Sequence, residues 1–266
     1  MELSTSRGDW ALITGASSGI GREFCLQLAA AGMNVAMVAR RAEALSELAA
    51  TIADRHGTRA LPIALDLVEV GAPERVRLRT AAEGIRIRLL VNSAAFGRWG
   101  RFEAIDPTSY RRMIDLNVGA MVELCHQFLP DLAGFTSSAV INVSSPAALQ
   151  PVPYMATYAA TKAFVSSFSQ ALHGEWKGRG VLVQTLVPGP TATDFDRTAG
   201  AYASAVTARG SPEQVVLDSL AALASMRPVA WNAKGTYKQR IFAGLFPSRV
   251  VIKEVAKMFR PPDASS

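Results

Sequence analysis

Tyr158 and Lys162 are the residues whose types and spacing best suit chemistry. They lie four residues apart, so on a helix both side chains share one face and their polar ends can meet. A free phenol has a pKa of about 10 and exchanges protons poorly at neutral pH. A neighbouring ammonium lowers that pKa, which makes Tyr158 a usable general acid or base. The alternative is that this spacing, which many helices contain by chance, has no function here.

The segment around this pair indicates where the chemistry would occur. The apolar run Ala139–Val143 is typical of a buried strand, and the residues from Ala163 onward are typical of a helix. The pair therefore follows the carboxyl end of a strand, where open α/β sheets bind their ligands. Ser145 lies at the same strand end and is interpreted as the group that polarises a substrate oxygen. Tyr154 has no lysine four residues later, so packing or substrate contact is its predicted role.

Strand and helix patterns alternate along the chain. The candidate strands are Trp10–Thr14, Asn34–Ala39, Ala60–Leu65, Leu89–Asn92, Ala139–Val143 and Val181–Val187, and the clearest helices are Ile20–Ala31, Arg41–His56 and Thr108–Leu132. Such alternation predicts an α/β fold: a Rossmann-type, doubly wound parallel sheet of about seven strands with helices on both faces. No linker-like stretch divides the 266 residues, so residues 1–266 are expected to form a single domain.

A glycine-rich turn joins the first strand to the first helix. Glycine lets the backbone approach a diphosphate closely, and the helix N-terminus supplies unpaired N–H groups and partial positive charge. The alternative is a tight turn without a ligand, but the position between strand and helix favours a dinucleotide. The predicted contacts are Gly15, Ser17, Ser18, Gly19, Ile20 and Gly21.

Arg40 and Arg41 follow the second strand, about 20 residues beyond the glycines. A site that prefers NAD usually has an acidic residue here to bind the ribose 2′-hydroxyl. Ala39 occupies that place, and Arg40 offers a guanidinium to a 2′-phosphate. The sequence thus favours NADP(H) over NAD(H). The alternative, a solvated first helical turn, is preferred for Arg41.

Together these motifs resemble the short-chain dehydrogenase/reductase family over about residues 8–195. The likeness rests on Thr14 to Gly21, Asp66, Asn92 to Ala95, Asn117, Ser145, Tyr158, Lys162 and the Pro188-Gly189 pair. The resemblance implies a catalytic set of Asn117, Ser145, Tyr158 and Lys162, in which Asn117 holds a water of a proton relay and Lys162 also binds the nicotinamide ribose. Ser144 is expected to be structural.

The resemblance also implies further cofactor contacts. Asp66 would bind the adenine amino group and Leu67 would flank the ring, while Asn92 and Ala94 would support the adenosine. The nicotinamide would contact Pro188, Gly189, Thr191 and Thr193. Two departures from the family pattern stand out: Ala95 replaces a glycine near the expected adenine, and Pro146 follows the expected catalytic serine and would stiffen its loop.

Composition limits the other classes of function. The net charge is +6, yet residues 1–233 carry 21 Lys/Arg against 20 Asp/Glu, and residues 234–260 carry seven against one. A general nucleic-acid surface is therefore not expected.

The start of the chain does not resemble a signal peptide and no apolar run suits a membrane span, which predicts a cytoplasmic protein. Cys25 and Cys125 are interpreted as small buried hydrophobic residues, and scattered histidines predict no metal site.

Apolar loop residues suggest a hydrophobic carbonyl substrate. The candidate contacts are Phe96, Arg98, Trp99, Phe102, Pro151, Tyr154, Met155 and Phe195, and residues 193–211 are interpreted as a mobile substrate lid.

In the basic amphipathic segment 234–260, a helix over Ser248–Phe259 would have an apolar face formed by Val251, Val255, Met258 and Phe259. This helix is expected to cover the active site or a partner subunit, and weak peripheral membrane contact is the alternative.

The leading hypothesis is an NADP(H)-dependent oxidoreductase that transfers hydride between nicotinamide and a carbonyl or secondary alcohol, for example a hydrophobic ketone or a 3-oxoacyl-type substrate. One alternative is a regulatory protein that senses NADP(H) without turnover. A sugar-nucleotide epimerase is another, although it usually needs a larger substrate region. The resemblance further implies a homodimer or homotetramer through the helices over Thr108–Leu132 and Tyr154–Lys177.

Overall fold

The computed structural model describes residues 6–200, 210–232, 241 and 244–261. Within them, a single seven-stranded parallel sheet has the strand order β3-β2-β1-β4-β5-β6-β7. The strands are β1 (Trp10–Thr14), β2 (Asn34–Ala39), β3 (Ala60–Ala64), β4 (Ile87–Asn92), β5 (Ser138–Val143), β6 (Val181–Val187) and β7 (Val229–Trp231). The predicted doubly wound parallel sheet is therefore confirmed.

Helices cover both faces of this sheet. They are α1 (Gly19–Ala30), α2 (Ala42–His56), α3 (Ala72–Ala82), α4 (Pro107–Ile114), α5 (Met121–Leu132), α6 (Ala156–Trp176), α7 (Phe195–Ala199), α8 (Pro212–Ala224) and α9 (Ser248–Phe259). Short 3₁₀ turns occur at Phe102–Ala104, Pro146–Leu149 and Lys177–Arg179.

Alternating strand residues supply two separate hydrophobic cores. In β1, Ala11 and Ile13 pack on the side of α1, α2 and α8, whereas Trp10 and Leu12 pack on the side of α3, α5 and α6. Successive side chains of a strand point to opposite faces, so a strand covered on both faces must be apolar throughout. This explains why β1 and β5 are continuously buried.

The predicted helix Thr108–Leu132 is interrupted. After α4, the backbone passes through a π-helical turn at Asp115–Ala120 before α5 begins. Hydrophobic periodicity cannot reveal such a turn, because it shifts the register locally while the segment stays helical. The turn contains Asn117, which is buried.

A third cluster of apolar residues lies at the carboxyl end of the sheet. It joins α4, α6 and α9 through Met113, Met155, Tyr158, Val251 and Val255. The C-terminal helix thus uses its apolar face inside the chain, next to Tyr158. In the parts of the chain that are described, no helix combines the length and apolarity needed to cross a bilayer.

Candidate active site

One large cavity runs along the edge where the parallel strands end. Its volume is about 1030 Å³. At one end it is lined by the glycine turn, Arg40 and Arg41, and at the other by Ser145, Tyr158 and Lys162. It spans the carboxyl ends of β1 and β4, where the strand order reverses, which is where doubly wound sheets bind ligands.

Tyr158 and Lys162 lie together in the first two turns of α6. Lys162 Nζ is 5.8 Å from the centroid of the Tyr158 ring and donates a 2.8 Å hydrogen bond to the main-chain carbonyl of Val143. Both side chains are buried, with Tyr158 8% and Lys162 3% exposed. Burial lowers the pKa of Lys162 from 10.5 to about 8. The ammonium therefore persists at neutral pH, beside the phenol and next to the end of β5.

Ser145 is fixed by the turn that follows it. Its Oγ accepts a 3.2 Å hydrogen bond from the Ala147 N–H, and Pro146 occupies the first position of the 3₁₀ turn. Proline lacks an N–H and suits that position. The hydroxyl hydrogen of Ser145 is thus left for another acceptor in the cavity.

Ser144 also lines the cavity, but its hydroxyl group bonds residues of α6. Its hydroxyl lies 2.9 Å from the Lys162 carbonyl and 2.7 Å from Ser166 Oγ. It is 2% exposed and joins β5 to α6. The two neighbouring serines therefore have different surroundings.

Asn117 lies outside the cavity lining, unlike the other three predicted catalytic residues. Its amide group donates to Phe96 O (3.0 Å) and to Thr161 Oγ1 (3.1 Å), and its Oδ1 accepts from Phe96 N (3.1 Å). The side chain consequently holds the loop after β4 against α6. These bonds engage both amide hydrogens, and the role of Asn117 in holding a relay water stays a prediction.

The glycine turn has the shape that a diphosphate requires. Gly15 and Gly19 have φ of +70° and +54°, and a Cβ on Gly21 would lie 2.4 Å from the Gly15 carbonyl oxygen. Larger residues at these positions would separate β1 from α1 or fill the space in the turn that a diphosphate would occupy. Ser18 precedes α1 without a side-chain cap. The first N–H groups of α1 therefore remain for an anion, and the residues present fit a dinucleotide.

Asn92 does not line the cavity, which differs from its predicted adenosine contact. Its Nδ2 donates 2.8 Å to Asn142 Oδ1 beneath the sheet end. The predicted neighbour Ala94 does line the cavity, and the Ala94 and Ser93 N–H groups each bind Thr14 Oγ1 at 3.0 Å. Side chains alternate along a strand, so Asn92 points into the helical layer, while the following loop lines the cavity.

Arg41 is exposed, as its sequence position suggested, and its side chain also contacts the glycine turn. Its guanidinium donates to Ser17 Oγ (3.0 and 3.2 Å) and to Ser17 O (3.0 Å). Arg40 lines the same cavity and makes no hydrogen bond or ion pair within the described ranges. The only sequence feature that could have indicated this contact is the position of Arg41 directly after Arg40 at the end of β2.

Asp66 and Leu67 line the cavity as predicted, but Asp66 is also paired. Arg112 of α4 approaches its carboxylate at 2.8 Å, and Arg112 itself lines the cavity. Leu67 is largely buried against the core. Arg112 was missed because its partner is 46 residues away, a separation that carries no local sequence signal.

The loop after β6 lines the end of the cavity where the nicotinamide is predicted to bind. Pro188, Gly189, Thr191 and Thr193 all line it. Thr191 Oγ1 donates to Gly189 O at 2.7 Å, and Thr191 forms an isolated parallel bridge with Gly210. Residues 201–209 of the predicted lid lie outside the described residues.

Not every predicted substrate contact reaches the cavity. Phe96, Arg98, Trp99, Met155 and Phe195 line it, whereas Phe102, Pro151 and Tyr154 do not. The Phe102 ring is 64% exposed and stacks on Tyr110 at 4.9 Å, away from the site. Aromatic composition alone could not separate these two groups.

The C-terminal helix contributes to the same wall. Met258 and Phe259 line the cavity, and Trp99 Nε1 donates 2.8 Å to the Phe259 carbonyl. Met258 remains 56% exposed, so it lies at the rim rather than in the buried face that the periodicity predicts.

Both cysteines are free and buried, as predicted. Burial raises the pKa of both thiols, that of Cys125 to about 12, so neither is a thiolate at neutral pH. Among the residues that the structure describes, no group of three His, Cys, Asp or Glu side chains could hold a metal ion.

Comparisons with known proteins agree with this geometry. The chain is 34% identical over 193 residues to a 7beta-hydroxysteroid dehydrogenase of Collinsella aerofaciens, covering 73% of each protein. It is 32% identical over 201 residues to a very-long-chain 3-oxoacyl-CoA reductase of Anas platyrhynchos, covering 73% of this chain but only 64% of that protein. A solved short-chain dehydrogenase of Sphingobium yanoikuyae in complex with NADPH superposes with a TM-score of 0.81, at 27% identity, over 97% of this chain and 98% of the other.

The short chain dehydrogenase family model matches residues 9–203, which include every predicted catalytic residue and all of the cavity end formed by the glycine turn. The chain therefore belongs to the short chain dehydrogenase family.

Proposed function

We propose that this protein is an NADP(H)-dependent oxidoreductase that reduces the carbonyl group of a hydrophobic ketone or a 3-oxoacyl-type compound. The observation that carries the proposal is the burial of Tyr158 beside Lys162, in a cavity that is continuous with the glycine turn. A protein that only bound the cofactor could use Lys162 to hold the ribose, but it would have no chemical need for a buried phenol beside that ammonium. The binding-only sensor is therefore the weaker alternative.

The bound nicotinamide would supply a hydride to the carbonyl carbon. Ser145 would donate its hydroxyl hydrogen to the substrate oxygen, because Oγ accepts from the Ala147 N–H and the hydrogen has no acceptor among the described residues. Tyr158 would then transfer its proton to the same oxygen, and the Lys162 ammonium would stabilise the resulting phenolate. Asn117 enters the proposal as a positioning residue that fixes the Phe96 loop.

The cofactor contacts follow the cavity. The diphosphate would bind the turn from Gly15 to Gly21, the adenosine would lie between Ala94 and the Asp66-Leu67 pair, and the nicotinamide ribose would contact Lys162. The loop Pro188, Gly189, Thr191 and Thr193 would hold the nicotinamide. Arg40, exposed and unpaired among described residues, supports a preference for the NADP 2′-phosphate.

The proposed substrate class is supported by the apolar wall that Val152, Met155, Trp99 and Phe259 form beside Tyr158. It is also supported by two relatives, a very-long-chain 3-oxoacyl-CoA reductase and a 7beta-hydroxysteroid dehydrogenase. Both substrate classes combine a carbonyl or hydroxyl group with a large apolar body.

Further features of the organisation belong to the same proposal. We infer one domain over residues 1–266, in a cytoplasmic homodimer or homotetramer. Exposed Ile114 and Phe164, on α4 and α6, support subunit contact along these helices. Sedimentation with anionic vesicles at low salt would test the alternative membrane contact through residues 234–260, and an absence of binding would exclude it.

Turnover and binding together test the proposal. NADPH oxidation is followed with hydrophobic ketones, 3-oxoacyl thioesters and steroids, with NADH in parallel. Tyr158→Phe should lower turnover by about 10²–10⁴-fold while NADPH still binds, because only the proton donor is removed. Wild-type protein that binds NADPH but reduces no carbonyl compound would favour the sensor, and normal turnover by the variant would refute the assignment of Tyr158.

A further inference from the structure

We propose that Phe195 is the residue that limits substrate size in this site, and that Arg98 is a positioning residue that holds Phe195 in place. This inference rests on the proposed carbonyl reduction and specifies which substituents the carbonyl can carry. The Phe195 ring lies 5.1 Å from the Tyr158 ring, centroid to centroid, at an interplanar angle of 48°. Both residues line the cavity.

Gly97 makes this ring contact possible. A Cβ at Gly97 would lie 2.8 Å from Phe195 Cζ and 3.2 Å from Tyr158 Cδ2. Any larger residue would displace one of the two rings, since atoms this close overlap. Because φ at Gly97 is not in the left-handed region, space rather than backbone conformation requires glycine here. The contact between the two rings is therefore closely packed on the Gly97 side.

The short helix α7 that carries Phe195 is held at both ends. At its N-terminus, Thr193 Oγ1 accepts a 3.3 Å hydrogen bond from Phe195 N. At its C-terminus, the Trp99 N–H donates 3.0 Å to Ala199 O, and Arg98 Nη1 donates to Thr198 O. An isolated helix of five residues is unstable, so these contacts decide its position.

Arg98 links α7 to the body of the domain. Its Nε donates 2.9 Å to Ser109 Oγ of α4, and its guanidinium lies over the Phe96 ring at 5.5 Å. It is half-buried and has no carboxylate partner in the described part of the chain. Its planar group can donate to a hydroxyl and a carbonyl at once, which a lysine ammonium on a flexible stem does less well.

These contacts predict how the site selects substrates. Because the Tyr158 and Phe195 rings are in contact, we expect a carbonyl compound bound at Tyr158 to place one of its two substituents beside Phe195. A methyl group needs little space, whereas a phenyl group at that position would compete with the Phe195 ring. Acetophenone should therefore be reduced better than benzophenone, and removal of the ring should reverse much of that preference.

The test compares kcat/KM for benzophenone with kcat/KM for acetophenone, with NADPH as cofactor. Phe195→Ala should raise this ratio by about 10-fold or more, the size expected when a pocket gains several carbon atoms of space. Arg98→Ala should raise the ratio in the same direction but by less, and the ratio for Arg98→Lys should lie between those of the wild type and Arg98→Ala. The variant with both Phe195→Ala and Arg98→Ala should have nearly the same ratio as Phe195→Ala alone. The affinity of each variant for NADPH should differ from that of the wild type by less than about two-fold. If Phe195→Ala disturbs folding, Phe195→Leu tests the same prediction with a smaller change in side-chain volume.

Phe102→Ala is the matched control, because this aromatic residue belongs to the same region but does not line the cavity. The ratio of kcat/KM for benzophenone to kcat/KM for acetophenone should be the same in Phe102→Ala as in the wild type. Acetophenone reduction with an unchanged ratio in both Phe195 variants would overturn this inference and leave the proposed function intact. Wild-type protein that reduces no carbonyl compound would instead overturn the proposed function and this inference with it. Additive effects of the Phe195 and Arg98 substitutions would refute the role assigned to Arg98.

Discussion

Lys162 Nζ donates a 2.8 Å hydrogen bond to the carbonyl of Val143, and so connects the α6 residue beside Tyr158 to the last residue of β5. This bond fixes an ammonium at 3% exposure. The position of the charge is therefore set by the sheet as well as by the helix. It also makes Lys162 a source of measurable pH dependence.

The stability of the cofactor-free protein should rise with pH between about 8 and 10.5. The folded protein releases the Lys162 proton near pH 8, whereas the unfolded chain retains it up to its ordinary pKa of 10.5. The unfolded state then binds more protons, so the free energy of unfolding increases by about 3 kcal/mol across this interval. Below pH 8 the full cost of burying the charge is present.

Lys162→Met isolates this contribution. The difference in unfolding free energy between wild type and variant, from urea titrations at several pH values, should change by up to about 3 kcal/mol between pH 8 and 10.5. Near pH 7 the variant should be as stable as the wild type or more stable, while carbonyl reduction is lost. A difference that does not vary with pH would contradict the assignment.

Ser145→Ala should lower kcat by about 10²-fold, because a hydrogen bond to the developing oxyanion is lost. Melting temperature should change little, since only one bond, from Ala147, is removed. Ser144→Ala is the internal control: it breaks the link to Lys162 O and Ser166, so it should reduce stability by about 1 kcal/mol with a smaller effect on kcat. Equal kinetic effects would refute the separate roles.

Arg40→Ala and Arg41→Ala should have different cofactor effects. Arg40 is unpaired in the described ranges, so its loss should raise the KM for NADPH by about 10-fold to 100-fold and leave NADH unaffected. Arg41 holds Ser17, so its loss should weaken both cofactors. Steady-state titrations with each cofactor would decide this, and an unchanged KM for NADPH in Arg40→Ala would exclude the phosphate contact.

Trp99→Phe should loosen the C-terminal helix. The substitution leaves the Phe259 carbonyl without its 2.8 Å donor, which should lower stability by about 1 kcal/mol. The KM for bulky ketones should rise several-fold while kcat changes little, because Phe259 lines the cavity and is not one of the proposed catalytic groups. Lys257→Ala, which breaks only the exposed pair with Glu254 on the same helix, should change neither value.

Local pattern was sufficient for much of the fold. The alternation of apolar strands with helical segments predicted the parallel sheet, and the bounds of β1, β2 and β6 agree with the structure. The first residues of β4 were missed because the charged residue Arg88 separates Ile87 from the apolar run that begins at Leu89. The π turn around Asn117 was missed because it leaves helical periodicity largely intact.

Within the site, whether a contact could be predicted depended on how far apart its two residues lie in the sequence. Tyr158 and Lys162 are four residues apart on one helix, so their proximity follows from helical geometry. The partners of Asn92 and Arg112 are 50 and 46 residues away, and these contacts exist only after the sheet and helices have packed. Side-chain direction at a strand end also depends on register, which composition does not specify.

The sequence by itself determined the parallel α/β architecture, the glycine cradle and the Tyr158-Lys162 pair, because each depends on residues close together in the chain. The tertiary structure alone decided that Arg41 holds Ser17, that Asn117 holds the Phe96 loop and that Phe195 packs on Tyr158. It also decided between the alternatives left open for the C-terminal helix, whose residues Met258 and Phe259 line the cavity. These relationships join segments far apart in sequence, so they arise only when packing brings those segments together.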